Sequence, residues 1–451
     1  MSWEKVSIKD VALGIYDGPH ATPPEANSGA IFLGISNFVN GQLDLTSIRY
    51  ISEDDYPKWT KRVIPQENDI VFSYEATLNL YAIIPKGFRG CLGRRMALIR
   101  PDETKINHKF LYYYFYSKAW RDVISENTVL GATVDRIPLV KFPEFQIEVP
   151  PIDIQNRIAT ILSTYDDLIE NNQKQIKLLE EAAQRLYKEW FVDLRFPGYE
   201  DVTVVDGVPE GWSTGILDDI AYESGKNEKK ERRDNYNYYL PIDCLPKQSL
   251  GYTETADIGL AESSLVNFVK DDIIFGAMRP YFHKVVIARD SGLTRSTCFV
   301  LNSRQNEFWS YLAMLMFSKD TVDYATQISV GTTMPYARWK DLKQMPVIIP
   351  SKTVAEKFQS AVKPIIEKIG CLSKEIISLR QARDILLPKL MSVELDLAET
   401  KKADILQPLP KRSYDEFLSD LGMAARAKTV SEADLRAMYE AYLDDDAEDR
   451  D

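Results

Sequence analysis

The sequence is poor in the residues that build metal sites and disulfide frameworks. Its 451 residues include only three histidines and four cysteines, and no two cysteines form a CxxC pair. His20, His108 and His283 do not have metal-ligand spacing either. We therefore expect no metal and no disulfide, and free thiols are typical of a reducing compartment.

Long apolar runs and catalytic motifs are also missing. No stretch reaches the roughly 18 apolar residues of a membrane span, and the start, Met1 to Lys5, has no apolar signal region. The chain has neither a Walker A motif nor the Asn-Pro-Pro-Tyr-type tetrapeptide of amino-methyltransferases. Asp102 and Glu103 are contiguous in an apparent turn, unlike the separated carboxylates of a nuclease. We expect a cytoplasmic protein with no membrane contact, no cofactor and no catalytic activity of its own.

An excess of positive charge is absent as well. The net charge is −12, and residues 394–451 contribute −8 of it through 16 acids and 8 bases. The rest of the chain is close to neutral, so it cannot bind nucleic acid mainly through bulk charge. We interpret residues 394–451 as an acidic interaction tail. Any binding to DNA should then depend on local basic loops and on a partner that neutralises phosphates.

What the sequence does contain is a duplication with a period near 200 residues. Asp69-Ile70-Val71-Phe72-Ser73 is matched by Asp272-Ile273-Ile274-Phe275-Gly276. Pro150-Pro151, which ends one apolar run, is matched by Pro350-Ser351 at the end of another. The period is too long for a solenoid, whose units have roughly 20–50 residues. The pattern predicts two copies of a whole domain, each followed by a helix.

Each copy ends in a predicted helix of about 40 residues, roughly 60 Å long at 1.5 Å per residue, with a wide apolar stripe. We expect the two stripes to pack against each other. Their members are Ile158, Leu162, Ile169, Ile176, Leu179, Leu186, Phe358, Val362, Ile365, Ile369, Leu372, Ile376, Leu379 and Leu386. Asn172 interrupts the first stripe, and it either sets the register of the pair or turns toward solvent or a partner.

These patterns predict a mixed α/β protein with an internal twofold repeat, in which two globular domains are separated by two long antiparallel coiled-coil helices. The segment Phe110 to Tyr116 is a buried helix or an aromatic strand, and its flanks, with Asn107 as a possible cap, favour the helix. The predicted segments are a first domain at 1–150, a helix and linker at 151–200, a second domain at 201–350, a second helix at 351–393 and the tail at 394–451.

Basic residues cluster near the turns and strands of both domains. Arginine and lysine can reach base edges and phosphates, which is what reading DNA requires. The DNA-binding candidates are Lys61, Arg62, Arg89, Arg94, Arg95, Lys229, Lys230, Arg232, Arg233, Arg279, Tyr281, His283, Lys284, Arg295 and Arg338. The loop from Arg279 to Lys284 is the strongest, because basic residues flank two aromatics after a predicted strand. Any one of these residues is otherwise an ordinary solvated charge. Gly131-Ala132-Thr133 and Gly331-Thr332-Thr333 are either loops near DNA or tight turns.

Several segments resemble the specificity subunit of type I restriction-modification systems. Pro151 to Ser163 is similar to the opening of that family's first spacer helix, and the likeness continues to Val192. Pro209-Glu210-Gly211-Trp212 resembles the entry to the family's second target-recognition domain, and Leu386 to Met391 resembles the end of its second helix. The resemblance covers about residues 1–393.

The resemblance implies a non-catalytic protein that reads DNA. In that family, two target-recognition domains each read half of a bipartite site in double-stranded DNA. Two modification subunits, which methylate adenine, and ATP-driven restriction subunits assemble with the specificity subunit. Two alternatives remain open. One is a coiled-coil scaffold that tethers two protein partners, and the other is a specificity chain of another restriction class with a fused methylase and nuclease.

Overall fold

The structure, a computed structural model, describes residues 3–46, 48–131 and 134–392. Ala132, Thr133 and the acidic tail predicted at 394–451 lie outside the described residues. No helix in the described part of the chain is long and apolar enough to cross a membrane.

The described chain divides into two compact units. The first unit contains residues 3–167 and 380–392, and the second contains residues 168–379. Both unit boundaries fall inside long helices. Each unit therefore combines a globular part with a segment of each helix.

The first unit consists mainly of short strands. They are β1 (Glu4–Ser7), β2 (Ala12–Asp17), β3 (Ala30–Leu33), β4 (Phe38–Val39), β5 (Gln42–Leu43), β6 (Arg49–Ile51), β7 (Ile70–Ser73), β8 (Tyr81–Ile83), β9 (Gly90–Leu92), β10 (Met96–Pro101) and β11 (Gln146–Val149). The helices in the first part of the chain are α1 (Tyr56–Trp59), α2 (His108–Tyr114), α3 (Lys118–Asn127) and the long α4 (Ile152–Tyr187), which continues into the second unit. A π-helical turn at Lys188–Val192 follows α4 directly.

The second unit also combines short strands with a few short helices and one long helix. Its strands, after a short hairpin of β12 (Val204–Val205) and β13 (Val208–Pro209), are β14 (Ser213–Ile216), β15 (Ala221–Glu223), β16 (Asn227–Glu228), β17 (Leu265–Phe268), β18 (Ile273–Gly276), β19 (Val285–Ile287), β20 (Gly292–Arg295), β21 (Cys298–Ser303) and β22 (Pro346–Ile349). Its helices are α5 (Leu217–Ile220), α6 (Trp309–Phe317), α7 (Lys319–Gln327), α8 (Trp339–Leu342) and the long α9 (Lys352–Leu390).

The two units share the topology of their central sheet and of one strand pair. The central sheet has the order β2-β10-β7-β8 in the first unit and β15-β21-β18-β19 in the second, with antiparallel pairs throughout. The pair β1-β11 corresponds to β14-β22, so in each unit the start of the globular part pairs with its last strand. The internal repeat predicted from the sequence is confirmed.

A buried aspartate explains why one motif recurs in front of the central strand. Asp69 accepts a hydrogen bond of 2.7 Å from the Gln66 N–H, and Asp272 accepts one of 2.8 Å from the Val269 N–H. Both carboxylates are buried, where an unsatisfied charge would be costly. Each aspartate therefore closes the turn that leads into β7 or β18.

The aromatic run after β10 forms the helix α2, as its flanks predicted. Asn107 caps it by accepting a hydrogen bond of 3.0 Å from the Phe110 N–H. Residues from Phe110 to Tyr114 are all buried, which explains why the run carries no polar face. The Asn107 N–H in turn donates to Gln155 of α4 at 2.9 Å, which ties α2 to the start of the long helix.

The apolar stripes of the long helices pack into the cores of the globular parts as well as against each other. In the first unit, Ile158 and Leu162 share a core with Phe110 and Leu390. In the second unit, the later α4 residues share a core with α9 and with β18. These α4 and α9 members are Ile169, Ile176, Leu179, Leu186, Phe358, Val362, Ile365, Ile369, Leu372 and Ile376. Leu379 and Leu386 are partly buried beside the two cores.

The contacts within the second unit give the direction of the helices. In the π-helical turn that follows α4, the Trp190 ring lies 5.4 Å from the Phe358 ring near the start of α9. Ten residues earlier, Glu180 bonds to the Leu250 N–H, and the next residue, Gly251, faces Ser373. Later residues of α4 and its π-helical turn therefore lie beside earlier residues of α9. The predicted antiparallel pair is confirmed.

Asn172 does not turn toward solvent. Its side chain is buried in the second unit, and its Nδ2 has no hydrogen-bond partner among the described residues. A buried amide without a partner costs roughly 1–3 kcal/mol, so the position is not there for stability alone. The register-setting role remains an interpretation.

Candidate nucleic-acid interface

The loop between β18 and β19 presents an arginine and a tyrosine at the end of the central strand. Arg279 and His283 both have a left-handed backbone, each with φ of 51°. Such a conformation costs of order 1–3 kcal/mol for a residue other than glycine, so the surroundings must hold it. The Arg279 N–H donates to the Pro335 carbonyl at 2.7 Å, and the Tyr281 ring is half-exposed.

A hairpin closed by Val330 and Tyr336 lies against this loop. The two residues exchange backbone hydrogen bonds of 3.0 Å each. The Arg279 Nη2 donates to the Thr333 carbonyl in the hairpin at 3.3 Å. Its buried Nε has no hydrogen-bond partner among the described residues. A buried donor without a partner costs roughly 1–3 kcal/mol, so this side chain is not placed here for stability alone.

The first unit has the same backbone arrangement with a different side chain. Ala76, in the loop between β7 and β8, has φ of 71°, and its N–H donates to the Asp135 carbonyl at 3.0 Å. The hairpin in this unit is closed by Val129 and Arg136 through bonds of 2.9 and 3.1 Å. Ala76 thus stands where the second unit has Arg279. The two units present different chemistry on equivalent backbones.

Beside Ala76, the first unit gathers a polar cluster around Tyr74. The Tyr74 hydroxyl donates to the Arg94 carbonyl at 3.0 Å and lies 3.4 Å from His20 Nδ1. Asp17 lies 3.1 Å from His20 Nε2 and forms an ion pair with Arg62. Burial, and to a smaller extent the nearby Asp17 carboxylate, raises the pKa of Tyr74 to about 12. The hydroxyl therefore stays protonated and can donate a hydrogen bond.

The structure brings Arg62 and Arg94 to this cluster and engages Arg89 in another contact. Arg89 donates to Glu53 with both terminal nitrogens, one of them at 2.6 Å, and its guanidinium lies 4.5 Å from the Tyr56 ring centroid. Lys61 is exposed next to Arg62. Arg95 is half-buried, and its Nε has no partner among the described residues.

Three of the second unit's basic residues converge on one short segment. Lys230 pairs with Glu262 at 2.5 Å, and Arg233 lies 3.6 Å from the same carboxylate. Arg295 donates to the neighbouring Ser263 hydroxyl at 3.4 Å. Two further members of this basic turn, both exposed, are Lys229 and Arg232. The four basic residues of the turn lie among four acids, which are Glu228, Glu231, Asp234 and Glu262.

Three other candidates have side chains committed to the protein itself. The His283 ring bonds through Nε2 to the Phe317 carbonyl at 2.9 Å, and burial lowers its pKa, so the neutral ring is the donor. The Lys284 ammonium donates to the Ile242 carbonyl at 2.7 Å. Arg338 pairs with Asp341 at 2.6 Å. These contacts hold the loops in place, and they leave Arg279 and Tyr281 as the better-presented pair.

The sequence reasoning missed two polar groups that the fold brings together. Tyr74 has no basic neighbour in the chain, so no local pattern marks the cluster it forms. Glu180 sits in the stripe region of α4 but is buried, where it accepts hydrogen bonds of 2.7 Å from the Ser249 hydroxyl and the Leu250 N–H. Burial raises the pKa of Glu180 to about 7.

The arrangement suits binding rather than catalysis. Loop arginines beside an exposed aromatic ring, such as Arg279 beside Tyr281, are the kind of side chain that contacts phosphates and base edges. Within the described residues, no group of three or more His, Cys, Asp and Glu side chains could hold a metal ion.

Comparisons with known proteins agree with this picture. The family model described as type I restriction modification DNA specificity domain matches residues 2–181 and again 209–380. The chain is 28% identical over 373 residues to the type I restriction enzyme MjaIX specificity subunit of Methanocaldococcus jannaschii, covering 78% of this chain and 83% of that protein. It is 22% identical to the HindI specificity subunit of Haemophilus influenzae, over 87% of this chain and 99% of that one.

A solved structure shares the fold. The type I restriction-modification S subunit from M. genitalium superimposes with a TM-score of 0.54 at 17% identity, over 86% of this chain and 96% of that chain. The family model covers well over half of the sequence and matches it twice, once in each half. The chain therefore belongs to the family of type I restriction-modification DNA specificity domains, as a non-catalytic specificity subunit whose two domains recognise the two parts of a DNA sequence.

Proposed function

We propose that each unit reads its part of the DNA site with the loop after its central strand and the hairpin beside it. In the second unit, Arg279 and Tyr281 would contact base edges, and the basic turn at Lys229–Arg233 would contact phosphates. In the first unit, Arg62, Arg94 and Arg95 would take these roles around Tyr74. The observation that carries the proposal is Arg279, which lies in the loop after the central strand with a left-handed backbone and an Nε that has no partner among the described residues, both at a cost in stability.

The assignment of roles follows from how far each side chain is already engaged. An ion pair on the surface usually stabilises a protein by under about 1 kcal/mol. A basic residue in such a pair can therefore leave its carboxylate and bind a phosphate instead. Lys230, paired with Glu262, is of this kind. By contrast, Lys284 donates to a backbone carbonyl and would leave it unpaired. We therefore place Lys284 and His283 in supporting positions. Arg338, whose pair with Asp341 also lies at the surface, stays a candidate for phosphate contact.

We also propose the assembly in which this chain acts. Two modification subunits would dock around the antiparallel helices, and restriction subunits would join them, in the cytoplasm. We keep target-recognition domains at 1–150 and 201–350 as the working boundaries. The separate modification subunit distinguishes this assembly from a scaffold and from a fused methylase-nuclease class.

Reconstitution tests the proposal. The purified chain should form a complex with a separate modification subunit, and only the complex should methylate DNA. Arg279→Ala should relax the sequence in one half of the methylated site, whereas Lys230→Ala should weaken binding to all sequences about equally. The assignment of the loops fails if both substitutions leave affinity and the methylated sequence unchanged.

A further inference from the structure

Glu180 is a buried carboxyl on α4 that bonds to a connection between two strands. Its Oε1 accepts hydrogen bonds of 2.7 Å from the Ser249 hydroxyl and from the Leu250 N–H. These donors lie within residues 247–251, in the connection between β16 and β17, and we call those five residues the support segment. Only 6% of Glu180 is exposed, so its carboxyl depends on these donors rather than on water.

The support segment lies against the loop between β18 and β19. We call residues 279–284 the reading loop, after the function proposed above. The Gln248 N–H donates to the His283 carbonyl at 2.8 Å, and the Lys247 ammonium lies 4.7 Å from the centroid of the Phe282 ring. Gln248 and His283 both have a left-handed backbone, with φ of 53° and 51°. Such conformations persist only where the surroundings hold them, so the end of the reading loop depends on the support segment.

Two further contacts fix the support segment on its other sides. The Ile287 N–H of β19 donates to the Leu250 carbonyl at 3.0 Å. Gly251 packs so closely on Ser373 of α9 that a β-carbon at this position would collide with the serine hydroxyl. With Glu180, the segment is therefore held by α4, by α9 and by β19 at once. It connects the long helices to the reading loop through a short path of direct contacts.

A cavity behind the reading loop gives the loop room to move. Its volume is about 480 Å³, and Glu180, Gln248, Tyr281 and His283 all line it. A side chain that borders a cavity has no packing partner on that side and meets little resistance there. If the support segment shifted, Tyr281 could follow it into this space. The position of Tyr281 relative to DNA should therefore depend on Glu180.

Stability alone is a poor explanation for a carboxyl at this place. Burial raises the pKa of Glu180 to about 7, because the charged form is disfavoured away from water. The repeat of the long helices does not require a carboxyl here either, because the residue 200 positions later is Arg380. The carboxyl is thus specific to the unit whose reading loop it supports.

We propose that Glu180 is a positioning residue for the recognition of one half-site. By holding the support segment, it fixes where the reading loop presents Arg279 and Tyr281 to DNA. The inference rests on the proposed function of that loop and extends it to a buried residue of the long helix. The sequence of this half-site is then determined partly from α4.

Variants of the full chain, each reconstituted with the modification subunit, test the inference. Glu180→Leu keeps the approximate volume of the side chain and removes its acceptors, whereas Glu180→Gln keeps an acceptor. In competition binding with duplexes that differ in one half-site, Glu180→Leu should lower the preference for the cognate sequence about tenfold in the half that Arg279→Ala relaxes. The other half should be unchanged. Glu180→Gln should restore most of the preference, because its amide oxygen can still accept from Ser249 and Leu250.

Ile365→Ala is the control for a loss of stability alone. Ile365 is buried on α9 in the same core and makes none of the contacts described above. Its substitution should lower the unfolding temperature and leave both half-sites unchanged when binding is measured below that temperature. Hydrogen exchange at the Gln248 and Leu250 amides should be severalfold faster in Glu180→Leu than in Ile365→Ala.

A second variant, Ser249→Ala, removes only one of the two hydrogen bonds and should give a smaller loss in the same half-site. Unchanged half-site preference in Glu180→Leu overturns the inference, and so does an equal loss in Ile365→Ala. If Glu180→Leu does not fold, unchanged preference in Ser249→Ala has the same meaning.

Arg279→Ala, measured in parallel, separates this result from the assignment of the reading loop. If Arg279→Ala relaxes a half-site and Glu180→Leu does not, only the positioning role of Glu180 fails. If Arg279→Ala changes neither half-site, the loop assignment fails and this inference fails with it.

Discussion

Arg279 and Ala76 occupy equivalent left-handed positions in the two units, and each donates its backbone N–H to the hairpin beside it, at 2.7 and 3.0 Å. One position bears a long cationic side chain, and the other bears a methyl group. A duplicated domain that keeps the backbone and changes this side chain can present different donors to different bases. We propose that this difference lets the two units read different half-sites.

Arg279 should favour DNA binding at a cost to the stability of the second unit. Arg279→Gly removes a left-handed strain of roughly 1–3 kcal/mol and adds an entropy cost of roughly 0.5–1 kcal/mol for glycine. The second unit should therefore unfold at the same or a slightly higher denaturant concentration than the wild type. The same substitution should weaken binding to the cognate half-site by roughly 1–3 kcal/mol. Denaturation monitored with competitive DNA binding checks both. A variant that unfolds much earlier yet binds normally would contradict this account of the residue.

Glu180 should make the second unit sensitive to pH. Its folded pKa of about 7 lies above the ordinary 4.5, so the unfolded chain releases the proton first as pH rises. Stability therefore falls between about pH 4.5 and 7, and the shift corresponds to roughly 3 kcal/mol. Glu180→Gln keeps an acceptor for the Leu250 N–H without the charge. Its stability relative to the wild type should improve by roughly 2–3 kcal/mol from pH 5 to pH 8, measured by denaturation at each pH.

The control for that experiment is Glu181→Gln, which alters the neighbouring carboxyl on a half-exposed side chain. It should retain the pH dependence of the wild type. Identical pH profiles for Glu180→Gln and Glu181→Gln would show that the buried carboxyl is not the titrating group.

The ion pair between Arg383 and Asp166 should stabilise the first unit more than a surface pair does. Both side chains are at least three-quarters buried, and Asp166 also accepts from the Tyr113 hydroxyl at 2.5 Å. Arg383→Met leaves that carboxylate without its cation and should cost about 2 kcal/mol. Lys118→Met, which breaks an exposed pair, should cost under about 0.5 kcal/mol. Hydrogen exchange of the α2 amides reports the difference, and equal protection in the two variants would disprove it.

Much of the fold follows from the sequence because its signals are local. The apolar period of the long helices, the Asp-Ile strands and the cap at Asn107 each lie within a few residues of the structure they produce. The side-chain directions of Lys284 and His283 cannot be read from the sequence, because they depend on hydrogen bonds to the distant carbonyls of Ile242 and Phe317. A loop that looks uniformly basic in sequence is therefore divided between supporting and outward-facing side chains.

The polar clusters could not be predicted for a related reason. Tyr74 meets His20, Arg62 and Arg94 only after the sheet is assembled, since these residues come from four separate segments. Likewise, the left-handed backbone at Ala76 could not be predicted, because alanine, unlike glycine or asparagine, does not favour that conformation. Contacts with the hairpin at Asp135 maintain it instead.

The long helices should set the spacing between the two half-sites, because each helix contributes to both units. Insertion of four residues between Asp167 and Leu168, and of four between Leu379 and Arg380, adds about 6 Å to each helix at the unit boundary. Four residues approximate one turn and nearly preserve the apolar stripe. Methylation mapping should then show one or two extra unread base pairs between unchanged half-sites. An active insertion variant with the original spacing would refute the role of the helices.

Methylation mapping of single-loop variants tests the central claim most directly. The reconstituted complex with its modification subunit is assayed on genomic DNA with the wild-type chain, Arg279→Ala and Arg94→Ala. The account predicts a bipartite methylated sequence for the wild type, with Arg279→Ala relaxing only one half and Arg94→Ala only the other. A single substitution that changes both halves, or two substitutions that change neither, would contradict the division of reading between the two units.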